Sequence, residues 1–394
     1  VKRLLAFFIA AALLFSALPA CAQWSEAQQA EADAFFARFF ARKNTVGGAV
    51  IVNVGGERRY AYFHGRAGKT AGRVTEDTAY KIASATKLLT AIGIMQLVQE
   101  GKLALDAPLQ IEGKAIVNPR YPDQPVTLRQ VMSHTSSIAA SANYIGTPSF
   151  AEEDFYDYAP GSGYHYANLN GGILGSLIES ASGQSLNAYM TEHVFAPLGI
   201  NAAYAAPLLP DPDKLSNSYD AEGTVLYSTA GYMKEDAAYD DTCDPASHFR
   251  ASVGGLYISL KGMEALGAAL ANDGVYQGVR LLKGGSVYLM QQDQASLPGS
   301  SVRCESPYGL DTYRYTLDGV TWYGHQGWWT GRVVDIFYEP QSAAAVILVM
   351  NGSDRTVGAA DRAVSAQMER ALRFLYPKIL LEPRDMTIID DEDW

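Results

Sequence analysis

Between Tyr308 and Met350 the chain is a series of apolar, β-prone runs separated only by turn residues. Tyr308 to Tyr315, Val320 to Gly324, Arg332 to Tyr338 and Ala343 to Met350 have strand character, with turns at Asp318-Gly319, Trp329 to Gly331 and Glu339-Pro340. Short turns join antiparallel neighbours, so this region predicts a meander. Two more strands, Gly47 to Gly55 and Arg58 to His64, meet at Gly55-Gly56 near the other end of the chain. The pattern between the two sets is helical. A sheet drawn from both ends turns everything between them into an insertion. The expected class is α/β (α+β): an antiparallel sheet flanked by helices, with an inserted helical lobe.

The expected divisions are an α/β lobe from 23–83 and 251–379 and a helical lobe over 84–250. Ser25 to Lys43 reads as an amphipathic helix with Phe35, Phe36, Phe39 and Phe40 on one side. Further helices are expected from Ala85 to Glu100, Val126 to Ser133, Asn170 to Ser182, Ser185 to His193, Leu260 to Asn272 and Arg355 to Leu375, and Ser286 is expected to cap another. Leu208 to Arg250 is polar and irregular, and reads as a surface excursion over a site. Residues 380–394 read as an acidic tail.

At the N-terminus, Lys2 and Arg3 precede an apolar run from Leu4 to Leu18, then Ala20-Cys21-Ala22. Charge, apolar run and small-residue site in that order predict a secretory signal over 1–22 and a periplasmic or secreted protein. The run falls short of the roughly 20 residues needed to span a bilayer, so no stable membrane insertion is expected after cleavage. Lipid attachment at Cys21 is the alternative. Export would leave Cys243 and Cys304 in an oxidising compartment, as one disulfide or two thiols. Lys and Arg total 31 against 42 Asp and Glu, a net charge of −11 with no basic tract. That balance argues against nucleic acid and anionic membrane surfaces as partners.

Three short motifs carry chemistry. Ser84-Ala85-Thr86-Lys87 opens an apolar helix, where i and i+3 share a face. A serine is a poor nucleophile until a base removes its proton, and a desolvated lysine is such a base. The plainer alternative is an N-capping serine with a solvated lysine. Tyr166-Ala167-Asn168 offers a phenol that a flanking ammonium would push down from its usual pKa near 10. Ser141-Ala142-Asn143 competes with it. His325-Gln326-Gly327, expected at the end of a strand, supplies an imidazole and a glycine that lets substrate backbone approach. Lys283-Gly284-Gly285 competes there. The sequence lacks a G-x-S-x-G elbow, an H-E-x-x-H helix and a phosphate-binding G-x-x-x-x-G-K-[ST] loop.

Taken in order, Ser84-x-x-Lys87, Tyr166-x-Asn168 and His325-x-Gly327 resemble the motif set of penicillin-recognising serine hydrolases. The likeness is to the branch holding class C β-lactamases, serine D-Ala-D-Ala carboxypeptidases and related esterases. It implies a β-lactamase/transpeptidase-like fold. It also implies Ser84 as the acylated nucleophile, Lys87 and Tyr166 as proton carriers, Asn168 as an orienting group and His325 in the third-motif position. The backbone N–H groups of Ser84 and Trp328 would form the oxyanion hole. Gly327, Trp328 and Trp329 would contact substrate, the tryptophans with the tyrosine-rich 155–166 loop making an aromatic pocket. No cofactor or metal is implied. Two residues depart from the family pattern: His325 where class C enzymes have lysine, and Ser137 where H-T-S-G-L has glycine. His134 reads as a structural hydrogen-bonder. The partner expected is a small ester, peptide or β-lactam. Three behaviours fit it: ester or peptide hydrolysis, β-lactam hydrolysis, and a binding module that acylates and stalls. Oligomeric state stays open.

Overall fold

The structure is a computed structural model that describes residues 24–379, apart from Lys69, Glu112, 297–306 and 353–362. The expected signal segment, Cys304, the acidic tail and the start of the expected closing helix lie outside the described residues.

Strands β1 (Gly47–Val54), β2 (Glu57–Gly68), β3 (Gly72–Arg73), β4 (Tyr313–Leu317), β5 (Val320–Trp329), β6 (Arg332–Glu339) and β7 (Ala344–Asn351) form one sheet. Their order is β4-β5-β6-β7-β1-β2-β3, and every pair is antiparallel. The N-terminal and C-terminal strands of the sheet meet where β1 pairs with β7, Ile51 opposite Ile347. Two-residue turns with positive φ, Gly55-Gly56 and Asp318-Gly319, close two of the hairpins.

The longer helices are α1 (Glu26–Ala41), α2 (Ala85–Gln99), α3 (Asn168–Ser182), α4 (Leu260–Ala271) and α5 (Ala366–Ile379). Alternate side chains of the sheet enter two different cores. Ala49, Ile51, Ile347 and Val349 join α2, α3 and α4 on one face. Val50, Val52, Val346 and Leu348 join α1 and α5 on the other. With both faces covered, β1, β6 and β7 are buried at every position. That is why they read as unbroken apolar runs rather than as alternating ones. A reciprocal capping box at Ser25 and Gln28 starts α1. Its Phe35 stacks on Phe374 of α5 at 3.9 Å. Helix α2 lies between the sheet and α3, and is buried from Ala85 to Met95 all round, as befits a central helix. Among the described residues, no helix is long and apolar enough to cross a membrane.

Several elements differ from expectation. β5 runs on to Trp329, so His325 and Gly327 lie inside a strand rather than at its end. Tyr308 to Thr312 is a tight turn, not strand. Asp311 has a φ of 46° there, and a Cβ on Gly309 would lie 2.0 Å from the Met290 carbonyl oxygen. The helix after Ser185 ends at Met190 and passes into a wider π-type turn over Thr191–Phe195. Lys283, not Ser286, precedes the helix Gly284–Gln291, because the Ser286 hydroxyl turns away to Gln99 Oε1 at 2.7 Å. Ser365 stands at the start of α5, its hydroxyl accepting from the Met368 N–H at 3.0 Å.

Asp335 is the acidic exception in β6. It is fully buried, and its Oδ2 accepts from the Ser365 hydroxyl at 2.5 Å. Burial raises its pKa to about 7, with Ser365 opposing. Between the ordinary carboxyl value near 4 and about 7, the folded protein holds a proton that the unfolded chain has released. Stability from this group is therefore present at low pH and lost as pH rises through that window. Asp335→Asn should remove the dependence. Urea midpoints of the variant relative to the parent should rise from pH 5 to pH 8; a constant difference would exclude it.

Candidate active site

The short strand Ala79–Lys81, paired with Tyr257–Ser259, runs into a strained turn. Ala83 sits in the left-handed region at φ 47°, and Ser84 follows as the first residue before α2. The Ser84 hydroxyl makes no capping bond to the helix backbone. It meets Lys87 Nζ at 3.2 Å instead. Lys87 is fully buried, so the alternative of a capping serine and a solvated lysine does not describe this turn.

Lys87 Nζ also donates to the Val253 carbonyl oxygen at 2.8 Å and to Asn168 Oδ1 at 3.3 Å. A neutral amine has two hydrogens and one lone pair. With the hydrogens given to these two oxygens, the lone pair is left for Ser84. Burial lowers the Lys87 pKa to about 7, and the Asp311 carboxylate works against that shift. Gly171 on α3 makes the space: a Cβ there would lie 2.6 Å from Lys87 Cε.

Asn168 is the first residue of α3, and Tyr166 lies just before it. The Tyr166 ring centroid is 5.2 Å from Lys87 Nζ, and its hydroxyl is buried without a hydrogen-bond partner among the described residues. Burial, then Tyr313, raise the Tyr166 phenol well above its ordinary value, while Ser84 pulls the other way. The expected lowering of this phenol by an ammonium therefore fails. Desolvation dominates, and Tyr166 stays a neutral phenol at physiological pH. The imidazole of His134 packs against it, centroids 4.2 Å apart. His134 Nδ1 accepts from the Ala167 N–H at 3.2 Å, a structural bond that fixes the entry to α3.

His325 is buried. Its Nδ1–H donates to the Gln326 carbonyl oxygen at 2.6 Å, and Nε2 faces the Tyr308 hydroxyl at 3.2 Å. Burial, reinforced by Lys87, lowers its pKa to about 3, so the ring is neutral. Farther along β5, a Cβ on Gly327 would lie 2.0 Å from the Ile82 carbonyl oxygen. Only glycine lets this strand run so close to the turn that carries Ser84. Trp328 and Trp329 follow, 41% and 40% exposed. They line a cavity of about 920 Å³ with Ser84, Tyr166, Asn168 and His325. The irregular excursion lines it too, through Glu235, Asp236, Tyr239, His248 and Arg250.

The competing motifs lie elsewhere. Ser141 and Asn143 are exposed, and Asn143 Oδ1 closes a local turn to the Ile145 N–H at 3.0 Å. The Lys283 N–H bonds Gln99 Oε1 at 2.7 Å, at the far end of α2 from Ser84, about 22 Å away by helical rise. Ser137 stands at φ 63°, a backbone position suited to glycine, and is held by Asn118 Nδ2 at 3.1 Å. Cys243 is exposed, its thiol 3.6 Å from the Glu179 carbonyl oxygen.

Sequence reading missed Tyr308, Asp311, Tyr313, Gly171 and the Val253 carbonyl. The available sign was an acidic residue inside a run otherwise fit for a buried strand. Backbone carbonyls leave no trace in sequence at all.

The Beta-lactamase family profile matches residues 32–368. The chain is 33% identical over 197 residues to esterase EstB of Burkholderia gladioli, a match that covers 43% of this chain and 50% of that protein's length. It is 25% identical over 302 residues to penicillin-binding protein 4 of Amycolatopsis lactamdurans, covering 73% and 76%. The octameric penicillin-binding protein homologue of Pyrococcus abyssi superposes with a TM-score of 0.67 at 22% identity, over 88% of this chain and 77% of that one. Fold and ordered motifs define a serine hydrolase. The chain belongs to the beta-lactamase family.

Gly171→Ala tests the packing around Lys87. The added methyl should push the amine off Ser84 and lower the rate at which a fluorophosphonate labels Ser84, by about 10-fold or more. Melting should fall by only a few degrees, since alanine's helix preference offsets part of the crowding. An unchanged labelling rate would show that Lys87 has slack.

Proposed function

We propose that this protein is an exported hydrolase that forms an acyl-enzyme on Ser84 and acts on small esters or amides with an uncharged acyl group. The observation that carries this reading is the 3.2 Å contact between Ser84 Oγ and a buried Lys87 whose two other partners are carbonyl oxygens. Lys87 takes the proton as Ser84 Oγ bonds to the substrate carbonyl carbon. The carbonyl oxygen becomes an oxyanion, held by the N–H groups of Ser84 and Trp328. The neutral phenol of Tyr166 relays the proton to the leaving group, and the same groups activate water to release the acyl chain. Asn168 keeps the amine in line.

The charge around the cavity favours uncharged substrates. His325, at the position where a cation would meet a substrate carboxylate, is neutral. Arg250 is paired with Glu235, and Lys81 lies 4.0 Å from the same carboxylate. β-Lactams and D-Ala-D-Ala peptides carry a carboxylate, for which the described residues lining the cavity offer no unpaired cation, so they rank below esters. The esterase among the relatives supports the same order. Trp328 and Trp329 offer apolar faces to the acyl group. Lys2-Arg3, the apolar run and Ala20-Cys21-Ala22 support export, with 23–379 as the hydrolase domain.

Ser84→Ala should lower p-nitrophenyl ester turnover by about 10⁴-fold; ordinary turnover would remove Ser84 as nucleophile. Because the ammonium cannot accept a proton, kcat/KM should fall below about pH 7, the Lys87 value. Nitrocefin and a D-Ala-D-Ala peptide should be poorer substrates than p-nitrophenyl butyrate. The reverse order would favour the β-lactamase or carboxypeptidase reading. A stable adduct without turnover would favour the stalled sensor.

A further inference from the structure

Asp311 lies in the tight turn before β4 and is 1% exposed. Its left-handed φ of 46° is fixed from several sides. The Asp311 N–H donates to the Met132 carbonyl oxygen at 2.7 Å, Leu310 N–H to Met290 at 3.0 Å, and Gly309 N–H to Thr312 at 2.8 Å. Neither carboxyl oxygen has a hydrogen-bond partner among the described residues. The Tyr308 hydroxyl faces His325 Nε2. Both the backbone conformation and the lone carboxyl cost stability, and such costs persist at sites where they serve a purpose.

The turn that carries this carboxyl packs against the catalytic cluster through Tyr308 and Tyr313, which meet His134 and His325. Lys87 and Asp311 act on each other electrostatically. Around Lys87 stand Ser84 on α2, Tyr166 and Asn168 at the head of α3, and His134 behind them. Tyr308, Tyr313 and His325 close the other side. Burial keeps both histidines neutral and both Tyr166 and Tyr308 protonated. Burial also raises the Asp311 carboxyl well above its ordinary value, while Lys87 and then Tyr308 favour its ionised form; among the groups named here it is the one that can face an ammonium on Lys87 as an anion.

We propose that Asp311 is a positioning residue for acyl transfer: a buried carboxylate that stabilises the ammonium formed on Lys87 when Ser84 gives up its proton. The inference rests on the acyl-enzyme reading above. In the step, the Ser84 O–H bond breaks and a Lys87 N–H bond forms. Ser84 Oγ bonds to the carbonyl carbon, and the carbonyl π pair moves to its oxygen. Asp311 transfers no proton. It supplies the charge that makes a desolvated ammonium affordable, and its removal makes Lys87 a weaker base.

Asp311→Asn and Asp311→Gly both tolerate the left-handed backbone and both remove the charge. The rate of Ser84 labelling by a fluorophosphonate, followed by intact-protein mass spectrometry from pH 5 to 10, reads the state of Lys87 without requiring the natural substrate. The parent should lose reactivity below about pH 7. In both variants that limb should move down by about one pH unit or more, with a plateau rate about 10-fold lower. A limb that stays in place, even with slower labelling, would overturn the proposal by showing that Asp311 only holds the turn. Parent-like behaviour of Asp311→Gly in both readouts would overturn it as well. A parent protein that takes no label at Ser84 would overturn the acyl-enzyme reading itself, and this proposal with it.

Discussion

An amine sealed inside a protein must either find a counter-charge or give up its proton. Lys87 is in that position, and the arrangement around it follows from the need to settle its charge. Val253 and Asn168 take its hydrogens, Ser84 meets its remaining position, and burial brings its pKa to about 7. An exposed lysine at the same sequence position would stay an ammonium until about pH 10 and could remove no proton at neutral pH.

The fold exists around this point in a literal sense. Ser84 and Lys87 come from α2, Asn168 and Tyr166 from the start of α3, and Val253 from the short helix Phe249–Gly254. His325 and Gly327 come from β5. These segments are far apart in the chain, and α2 is the element they all touch. Missing Cβ atoms set the approach distances. Gly327 lets β5 lie against the Ile82 carbonyl, and Gly171 leaves room for the lysine stem. The two-faced sheet behind them supplies the rigidity, because its alternate side chains are locked into separate cores.

The same burial explains where expectation and structure part. A tyrosine beside a lysine reads as an activated phenol if only the neighbouring charge is counted. Tyr166 is so thoroughly desolvated that its proton is held more tightly, not less. The group whose neutral form burial favours is the amine, the base of the proposed mechanism. Ser84 looked equally fit to cap its helix, yet its hydroxyl turns to Lys87 and leaves the helix N-terminus uncapped by a side chain. Asp311 sat unremarked in a run that looked like strand, since nothing local distinguishes a surface acid from a buried one.

The order of the three motifs, the antiparallel meander, the turns at Gly55-Gly56 and Asp318-Gly319, and the helix opening at Ala85 were legible in the residues themselves. Each depends on local chemistry: periodicity, turn propensity, the i to i+3 spacing of a helix. What only the tertiary structure decided is every protonation state and every long-range neighbour. Desolvation is a property of the surrounding atoms rather than of the residue. Whether Lys87 is a base, His325 a cation or Asp311 a counter-charge is therefore settled by segments hundreds of residues away, and no local pattern encodes it.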